Sequence, residues 1–300
     1  MELRHLRYFL AVADAMSFTG AANALNLSQP SLSVQIAALE DELGTALFDR
    51  LGRRLVLTQA GHLFRDHARR VLRDLEQGVQ EVHELTGAER GRLLVGTLST
   101  VNSYLIPPVV SRFRRRFPKV HLQVHAQPSA DIETNLLANR LDIGLCLLPV
   151  SDSRLAATHL FDETLCLVAP ATFTRLGRRA KMCELASLPL VLMPADYCLR
   201  RMVEAECAEA GVRPQVSVEM TSPDGILDAV EQGAGLTVLP ELFVRHRLRR
   251  GGLRMIELSG PVPTHGVGLV HLAHRHLGVA VEEFVGLCRS VRSELARTDR

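Results

Sequence analysis

The sequence predicts an α/β protein in three parts: an N-terminal winged helix-turn-helix over residues 1–58, a long linker helix over 59–87, and a two-lobed, doubly wound α/β domain beyond it. Three observations carry this reading. Two capped helices and a basic hairpin follow one another between Ser17 and Thr58, a heptad-like apolar run fills 68–82, and from Leu93 onward apolar strands alternate with helical segments.

The first helix covers 3–15, with Leu6, Phe9, Leu10 and Ala13 on one face. Ser17 caps a second helix over 18–25, and Asn26-Leu27 form a tight turn. Ser28 then caps a third, whose first turn holds Gln29, Pro30 and Ser31. Proline is tolerated there because its missing N–H has no helical partner to lose. In the third helix Leu32, Ile36, Leu39 and Leu43 form the inward stripe, leaving Gln29, Ser31, Ser33 and Gln35 outside. Short hydrogen-bonding side chains near a helix N-terminus suit the donors and acceptors on base edges in a major groove, so Ser28, Gln29, Pro30, Ser31, Ser33 and Gln35 are candidate DNA contacts. After Gly44, two short apolar arms surround a Gly52-Arg53-Arg54 tip, the pattern of a β-wing. Arg50, Arg53 and Arg54 are its candidate phosphate or minor-groove contacts.

Five spaced motifs in this region carry a resemblance: Phe18-Thr19-Gly20-Ala21-Ala22, Leu27 to Ser33, Ile36 to Glu40, Leu47 to Arg50, and Leu57 to Gly61. Residues 1–61 resemble the winged helix-turn-helix of LysR-type transcriptional regulators, and the α/β part resembles the effector domain of that family. The resemblance implies double-stranded promoter DNA as partner and a small-molecule effector. It also implies a second copy of the chain, giving a homodimer or homotetramer, and possible contact with RNA polymerase. Effector binding between the lobes would then reset the spacing of paired DNA-reading units.

Composition allows this function without announcing it. The 300 residues are 47% hydrophobic with a net charge of only +2, and residues 1–65 balance six arginines against six carboxylates. Positive charge for DNA must therefore be placed and not abundant. The N-terminus lacks a signal-peptide core and no apolar run reaches membrane-span length, so a cytoplasmic chain with no membrane partner is expected. No GxSxG, HExxH, Walker or strand-linked GxGxxG motif occurs, and His271 and His274 would point to opposite faces of a strand; no enzymatic activity, metal or cofactor is expected. The six cysteines form no CxxC and no zinc spacing, which in a reducing compartment makes most of them small core residues.

Along the linker helix Ala68, Leu72, Leu75, Val79 and Val82 form a seam that wants a partner helix. Residues 86–91 read as a polar hinge. Strands are then expected at 93–98, 120–126, 141–148, 165–169, 190–193, 215–220, 236–239 and 266–271. Helices are expected at 103–117, 130–140, 199–210, 224–232 and 279–295. Residues 91–162 with 266–300 make one lobe and 163–265 the other, joined by two crossing strands in the clamshell of periplasmic-binding-protein-like domains. The run Arg112, Arg114, Arg115 and Arg116 reads as a solvated helix face.

In such sheets ligands lie beyond the carboxyl ends of strands, where helix starts offer free N–H groups. Thr97, Ser99, Thr100, Ser129, Thr221 and Ser222 place hydroxyls at such junctions, and Asp196 and Tyr197 stand where a helix of the second lobe starts. These are the candidate effector contacts, suited to an anion. Asp142-Ile143-Gly144 and Leu148-Pro149-Val150 resemble regulators of the cyanate-responsive type. Tyr197-Cys198-Leu199-Arg200 with Cys207 nine residues on resembles the redox loop of the peroxide-sensing branch, in which one cysteine is oxidised and a second resolves it to a disulfide. There the helix N-terminus and Arg200 would favour an ionised Cys198. The chain departs from that branch at Tyr197, where the branch has histidine. Nine residues of continuous helix also separate the two thiols by roughly 13 Å of rise.

Overall fold

The computed structural model describes residues 1–51, 54–85, 91–248, 251–259, 264–275 and 277–298. They fall into two compact units. The first holds helices α1 (Leu3–Ala15), α2 (Phe18–Ala24) and α3 (Gln29–Leu43), strands β1 (Phe48–Leu51) and β2 (Arg54–Leu57), and helix α4 (Gln59–Leu85).

Its core is the predicted one with one exchange. Leu6, Phe9 and Ala13 of α1 meet Ala21 and Ala22 of α2 and Leu32, Ile36 and Leu39 of α3. Val12 is fully buried, whereas Leu10 and Leu43 are only half-buried. Phe9 ties three elements together, its ring 5.3 Å from Phe48 of β1 and 5.1 Å from Phe64 of α4. The wing hairpin pairs Phe48 with Leu57 and Leu51 with Arg54; Gly52 and Arg53 at its tip lie outside the described residues. Thr58 Oγ1 joins wing to α4, donating to Ala46 O at 2.8 Å and accepting from Gly61 N at 2.9 Å. A Cβ on Gly61 would come 2.1 Å from Leu47 O, so only glycine fits in this first turn of α4.

The expected seam of α4 divides. Ala68 is buried in the helical core and Leu72 is half-buried, while Leu75, Val79 and Val82 are 41%, 49% and 58% exposed. The predicted hinge at 86–90 lies outside the described residues.

The second unit runs β3 (Gly91–Thr97), α5 (Ser99–Tyr104), α6 (Ile106–Arg116), β4 (Val120–Ala126), α7 (Ser129–Leu137), β5 (Ile143–Leu147) and β6 (Leu155–Pro170). It continues through β7 (Arg179–Lys181), a 3₁₀ turn (Met182–Ser187), β8 (Pro189–Leu192), α8 (Cys198–Glu209), β9 (Gln215–Glu219) and α9 (Pro223–Glu231). Then follow β10 (Thr237–Pro240), α10 (Glu241–Leu248), β11 (Leu253–Ser259), β12 (Thr264–Leu272) and α11 (Val279–Thr298). Strands β4, β3 and β5 are parallel, as the βαβ alternation requires. Beyond β5 the sheet turns mixed: β12 runs antiparallel to β5 and to β6. The far half of β6 then pairs antiparallel with β10 and β11 of the second lobe, whose parallel pair β8–β9 is joined to it by a bridge from Leu190 to Leu236.

Several expectations need correction. The single helix over 103–117 is two helices, because Pro107 and Pro108 lack the N–H groups a continuing helix would use and instead fill the first turn of α6. The strand expected from Leu165 starts at Leu155 and spans both lobes; its polar stretch Thr158-His159 hides it from an apolar-run search. β7, α10 and β11 went unread: β7 has three residues, and α10 is too short and too weakly amphipathic for its period to show. The arginine run is more than a solvated face. Arg112 pairs with Glu294 at 2.5 Å and Arg116 with Glu283 at 3.0 Å, bracing α6 against α11, and Arg114 donates to the carbonyls of Pro118 and Val120. Among the described residues no helix is long and apolar enough to cross a membrane.

Candidate functional site

In the first unit the reading helix is built as its caps predict. Ser28 Oγ accepts from Ser31 N at 3.3 Å, and Pro30 sits in the first turn. Gln29, Pro30 and Ser31 are exposed and Ser33 is half-exposed, with Gln29 Nε2 donating to Ser33 Oγ at 2.8 Å. Gln35 is different: half-buried, with Oε1 3.1 Å from Nε2 of His5, it braces α3 on α1. Glu40 fixes the wing's root by accepting from Leu47 N at 2.6 Å and Phe48 N at 3.1 Å. Arg54 is exposed on β2 and Arg50 lies on β1, while Arg53 is outside the described residues.

In the second unit a cavity opens between the lobes, at the carboxyl ends of β3, β4, β5, β8 and β10. Its volume of about 40 Å³ leaves room for roughly three water molecules, a size that suits a very small ligand. Ser99 and Thr100 enter it from the start of α5, Ser129 from the start of α7, and Tyr197 with Cys198 from the start of α8. Gly144 lets α7 approach the sheet this closely: a Cβ there would lie 2.4 Å from Ile132 Cγ2. Ser129 is buried, and its Oγ accepts from Leu147 N at 3.2 Å.

The other candidates lie elsewhere. Thr97 is fully buried, with Oγ1 directed to the carbonyl of Leu98 at 3.3 Å. Asp196 is exposed outside the lining, its carbonyl held by Arg201 at 3.1 Å. Ser222 is the cap of α9, accepting from Gly225 N at 3.2 Å, and Thr221 is exposed beside it. These hydroxyls follow a strand as the pattern requires but are not among the residues that line the cavity.

Cys198 is the first residue of α8, half-exposed in the cavity wall. The guanidinium beside it belongs to Arg201, whose Nη2 lies 3.1 Å from Sγ, and not to Arg200. Arg200 is buried and spends its donors on Glu204 (2.8 Å), Glu219 (3.0 Å) and the Met193 carbonyl (2.9 Å), pinning α8 to β8 and β9. The helical period explains the exchange, since Cys198 and Arg201 are one turn apart on the same face. Cys207 is fully buried in the second lobe's core, and burial pushes its thiol up, with Glu204 and Glu206 adding to the effect. Burial likewise holds the thiols of Cys146 and Cys288 at about 12 and pushes that of Cys166 higher still.

Behind the cavity lies a group that sequence reasoning missed. Glu163 of β6, 1% exposed, accepts from Tyr104 O–H at 2.5 Å, and its other oxygen lies 3.1 Å from Nε2 of His265 on β12, which lines the cavity. Burial first, then Glu163, pushes the Tyr104 phenol well up. No local motif joins residues 102 positions apart in sequence; only the β6–β12 register brings them together.

Residues 3–62 match the family model described as a bacterial regulatory helix-turn-helix protein of the lysR family, and residues 86–293 match the LysR substrate binding domain. The chain belongs to the LysR family. It is a DNA-binding transcriptional regulator with an effector-binding domain, as that family is. It is 32% identical over 272 residues to the DNA-binding transcriptional dual regulator OxyR of Escherichia coli K12, covering 90% of this chain and 89% of OxyR. A full-length OxyR variant from Pseudomonas aeruginosa superposes with a TM-score of 0.74 at 28% identity, over 96% of this chain and 98% of that one. CbnR, a LysR regulator solved with its target DNA, has the same fold, with a TM-score of 0.74 at 24% identity over 97% of this chain and all of its own.

A thiol that burial keeps protonated reacts slowly, since the thiolate is the nucleophile. In the folded chain near pH 8, Cys183 and Cys198 should therefore titrate rapidly with a disulfide reagent. Cys146, Cys166, Cys207 and Cys288 should titrate only after unfolding, which peptide mapping of the labelled sites will check.

Proposed function

We propose that this LysR regulator reads a hydroperoxide through Cys198 in the inter-lobe cavity and passes the signal to promoter DNA bound by a homo-oligomer in the cytoplasm. The observation that carries the reading is the placement of Cys198: a reachable sulfur at a helix N-terminus, 3.1 Å from a guanidinium, in a cavity with room for a very small ligand. Four relatives that are 31–32% identical are named hydrogen peroxide-inducible genes activators.

In the chemical step the Cys198 thiolate attacks the nearer peroxide oxygen. The O–O bond breaks, an alkoxide or hydroxide leaves and takes up a proton, and sulfur is oxidised by two electrons to the sulfenic acid. Condensation with the Cys207 thiol would then form a disulfide and release water. The helical rise of roughly 13 Å between the two is about twice the Cα–Cα span a disulfide can bridge, so that second step requires α8 to unwind.

A second reading keeps the same cavity for a non-covalent anion. It is favoured by the hydroxyls of Ser99, Thr100 and Ser129 at the starts of α5 and α7, where free N–H groups gather. Footprinting on promoter DNA separates the two. Wild type should change its footprint on hydroperoxide treatment, and Cys198→Ser should not; a response retained by Cys198→Ser would leave the anion reading standing.

On the DNA side, Gln29, Ser31 and Ser33 are proposed to read bases, with Ser28 and Pro30 placing the helix end at the backbone and Arg50, Arg53 and Arg54 binding phosphate or the minor groove. The uncovered Leu75, Val79 and Val82 are proposed to pair α4 with a second copy. Gln29→Ala should cost about 1–3 kcal/mol on operator DNA and leave random DNA unaffected, whereas Arg54→Ala should weaken both alike and flatten the salt dependence. Equal losses for Gln29→Ala on the two DNAs in a gel-shift titration would contradict the assignment.

A further inference from the structure

The walls of the inter-lobe cavity differ by the element that supplies them. Where strands end they are apolar: Leu98 follows β3, Leu147 closes β5, Met193 follows β8 and Pro240 closes β10. Pro128 continues this beyond β4, and the amide oxygen of its neighbour Gln127 is already taken by Asn135 Nδ2 at 2.7 Å. Where helices start they are polar, with Ser99 and Thr100 of α5, Ser129 of α7 and Cys198 of α8. Thr100 is 7% exposed, and among the described residues no group hydrogen-bonds its hydroxyl. None of the lining residues is a lysine or an arginine.

This composition sets the chemistry of the ligand. A charged oxyanion would meet carbon at the strand ends and no lysine or arginine in the lining, and burying an unpaired charge is costly. Hydrogen peroxide is neutral but presents oxygen at both ends, so part of it would give up its water against leucine and methionine. A neutral molecule with a hydroperoxyl group at one end and a short alkyl group at the other satisfies both kinds of wall. Each methylene-sized group removed from water contributes about fourfold in binding. The volume of about 40 Å³ limits the whole molecule to roughly three or four non-hydrogen atoms.

We infer that the cavity selects a short-chain alkyl hydroperoxide over hydrogen peroxide, seating the alkyl group on the apolar strand ends and the hydroperoxyl group among the helix starts with Cys198. The inference rests on the peroxide reading above and deepens it by naming the substrate class. In the step, the Cys198 thiolate attacks the terminal oxygen, the one that carries hydrogen. The O–O bond breaks, its electron pair leaves with the inner oxygen as alkoxide, and the alkoxide takes up a proton to give the alcohol. Sulfur, oxidised by two electrons, keeps the terminal oxygen as sulfenic acid. The inner oxygen carries the alkyl group, so seating that group decides which oxygen is presented to the sulfur.

The test measures sulfenic acid formation at Cys198, by trapping and peptide mapping, in the full chain carrying Cys183→Ser, which removes the exposed competing thiol. Rates with ethyl hydroperoxide and with hydrogen peroxide are each divided by the rate for a free small thiolate, which removes the intrinsic reactivity of the oxidant. The corrected ratio should favour ethyl hydroperoxide at least about tenfold, from two carbons at about fourfold each. Cumene hydroperoxide, too large for the cavity, should show no such preference. Adding Met193→Gln, which keeps the length of the side chain and makes its end polar, should lower the ratio several-fold. Leu147→Phe, which narrows the cavity without adding a polar group, should lower it as well and serves if the first variant does not fold. A corrected ratio near one, a ratio that neither variant moves, or an equal preference for cumene hydroperoxide would overturn the inference and leave the peroxide reading standing. A Cys198 that no oxidant touches would remove both.

Discussion

The second unit depends on the antiparallel pairing of β6 with β12. β6 is one strand of 16 residues that serves the first lobe with one half and the second lobe with the other, and β12 runs beside it from Thr264 to Leu272. Backbone hydrogen bonds satisfied between two crossing strands make the join stiff along the strands while allowing twist between lobes. The Glu163–His265 pair sits in this ladder. A carboxylate that is 1% exposed is costly to bury unless its oxygens are hydrogen-bonded, and here both are met, by Tyr104 and His265. The frame of the cavity and the seat of His265 in its wall are therefore set by the same strand register.

Against this frame stands α8. Its N-terminal residue is Cys198, and its body is pinned by Arg200, buried and satisfied by Glu204, Glu219 and a backbone carbonyl. Neighbouring arginines on one helix thus do opposite work: Arg200 secures the element and Arg201 faces the sulfur. An oxidised Cys198 that seeks Cys207 must break both the helix and the burial of Cys207 in the second lobe's core. In the proposed mechanism, chemistry at one sulfur is in this way coupled to the packing of a whole lobe.

What was legible in the sequence follows from how local its signals are. The caps Ser17 and Ser28, the stripe Leu32, Ile36 and Leu39, and the βαβ alternation from β3 to β5 depend on neighbours a few residues away and were read correctly. Ser99, Thr100, Ser129 and Tyr197 were reachable because strand ends and helix starts are visible in the pattern. Thr221 and Ser222 show the same pattern and are not in the lining, because the pattern marks a strand end and not whether its hydroxyls reach the space between the lobes. Glu163 and His265 carried no signal, since their meaning arises only from a pairing 102 residues long. The choice between Arg200 and Arg201 turned on helix phase: Arg201 lies one turn beyond Cys198, and Arg200 points into the lobe.

Amide hydrogen exchange on the full chain, before and after one equivalent of hydroperoxide, tests most directly the claim that the crossing strands are a fixed frame and α8 the yielding element. Protection should fall across 198–209 and stay unchanged in 155–170 and 264–272. Loss of protection in the crossing strands with α8 still protected would contradict the account.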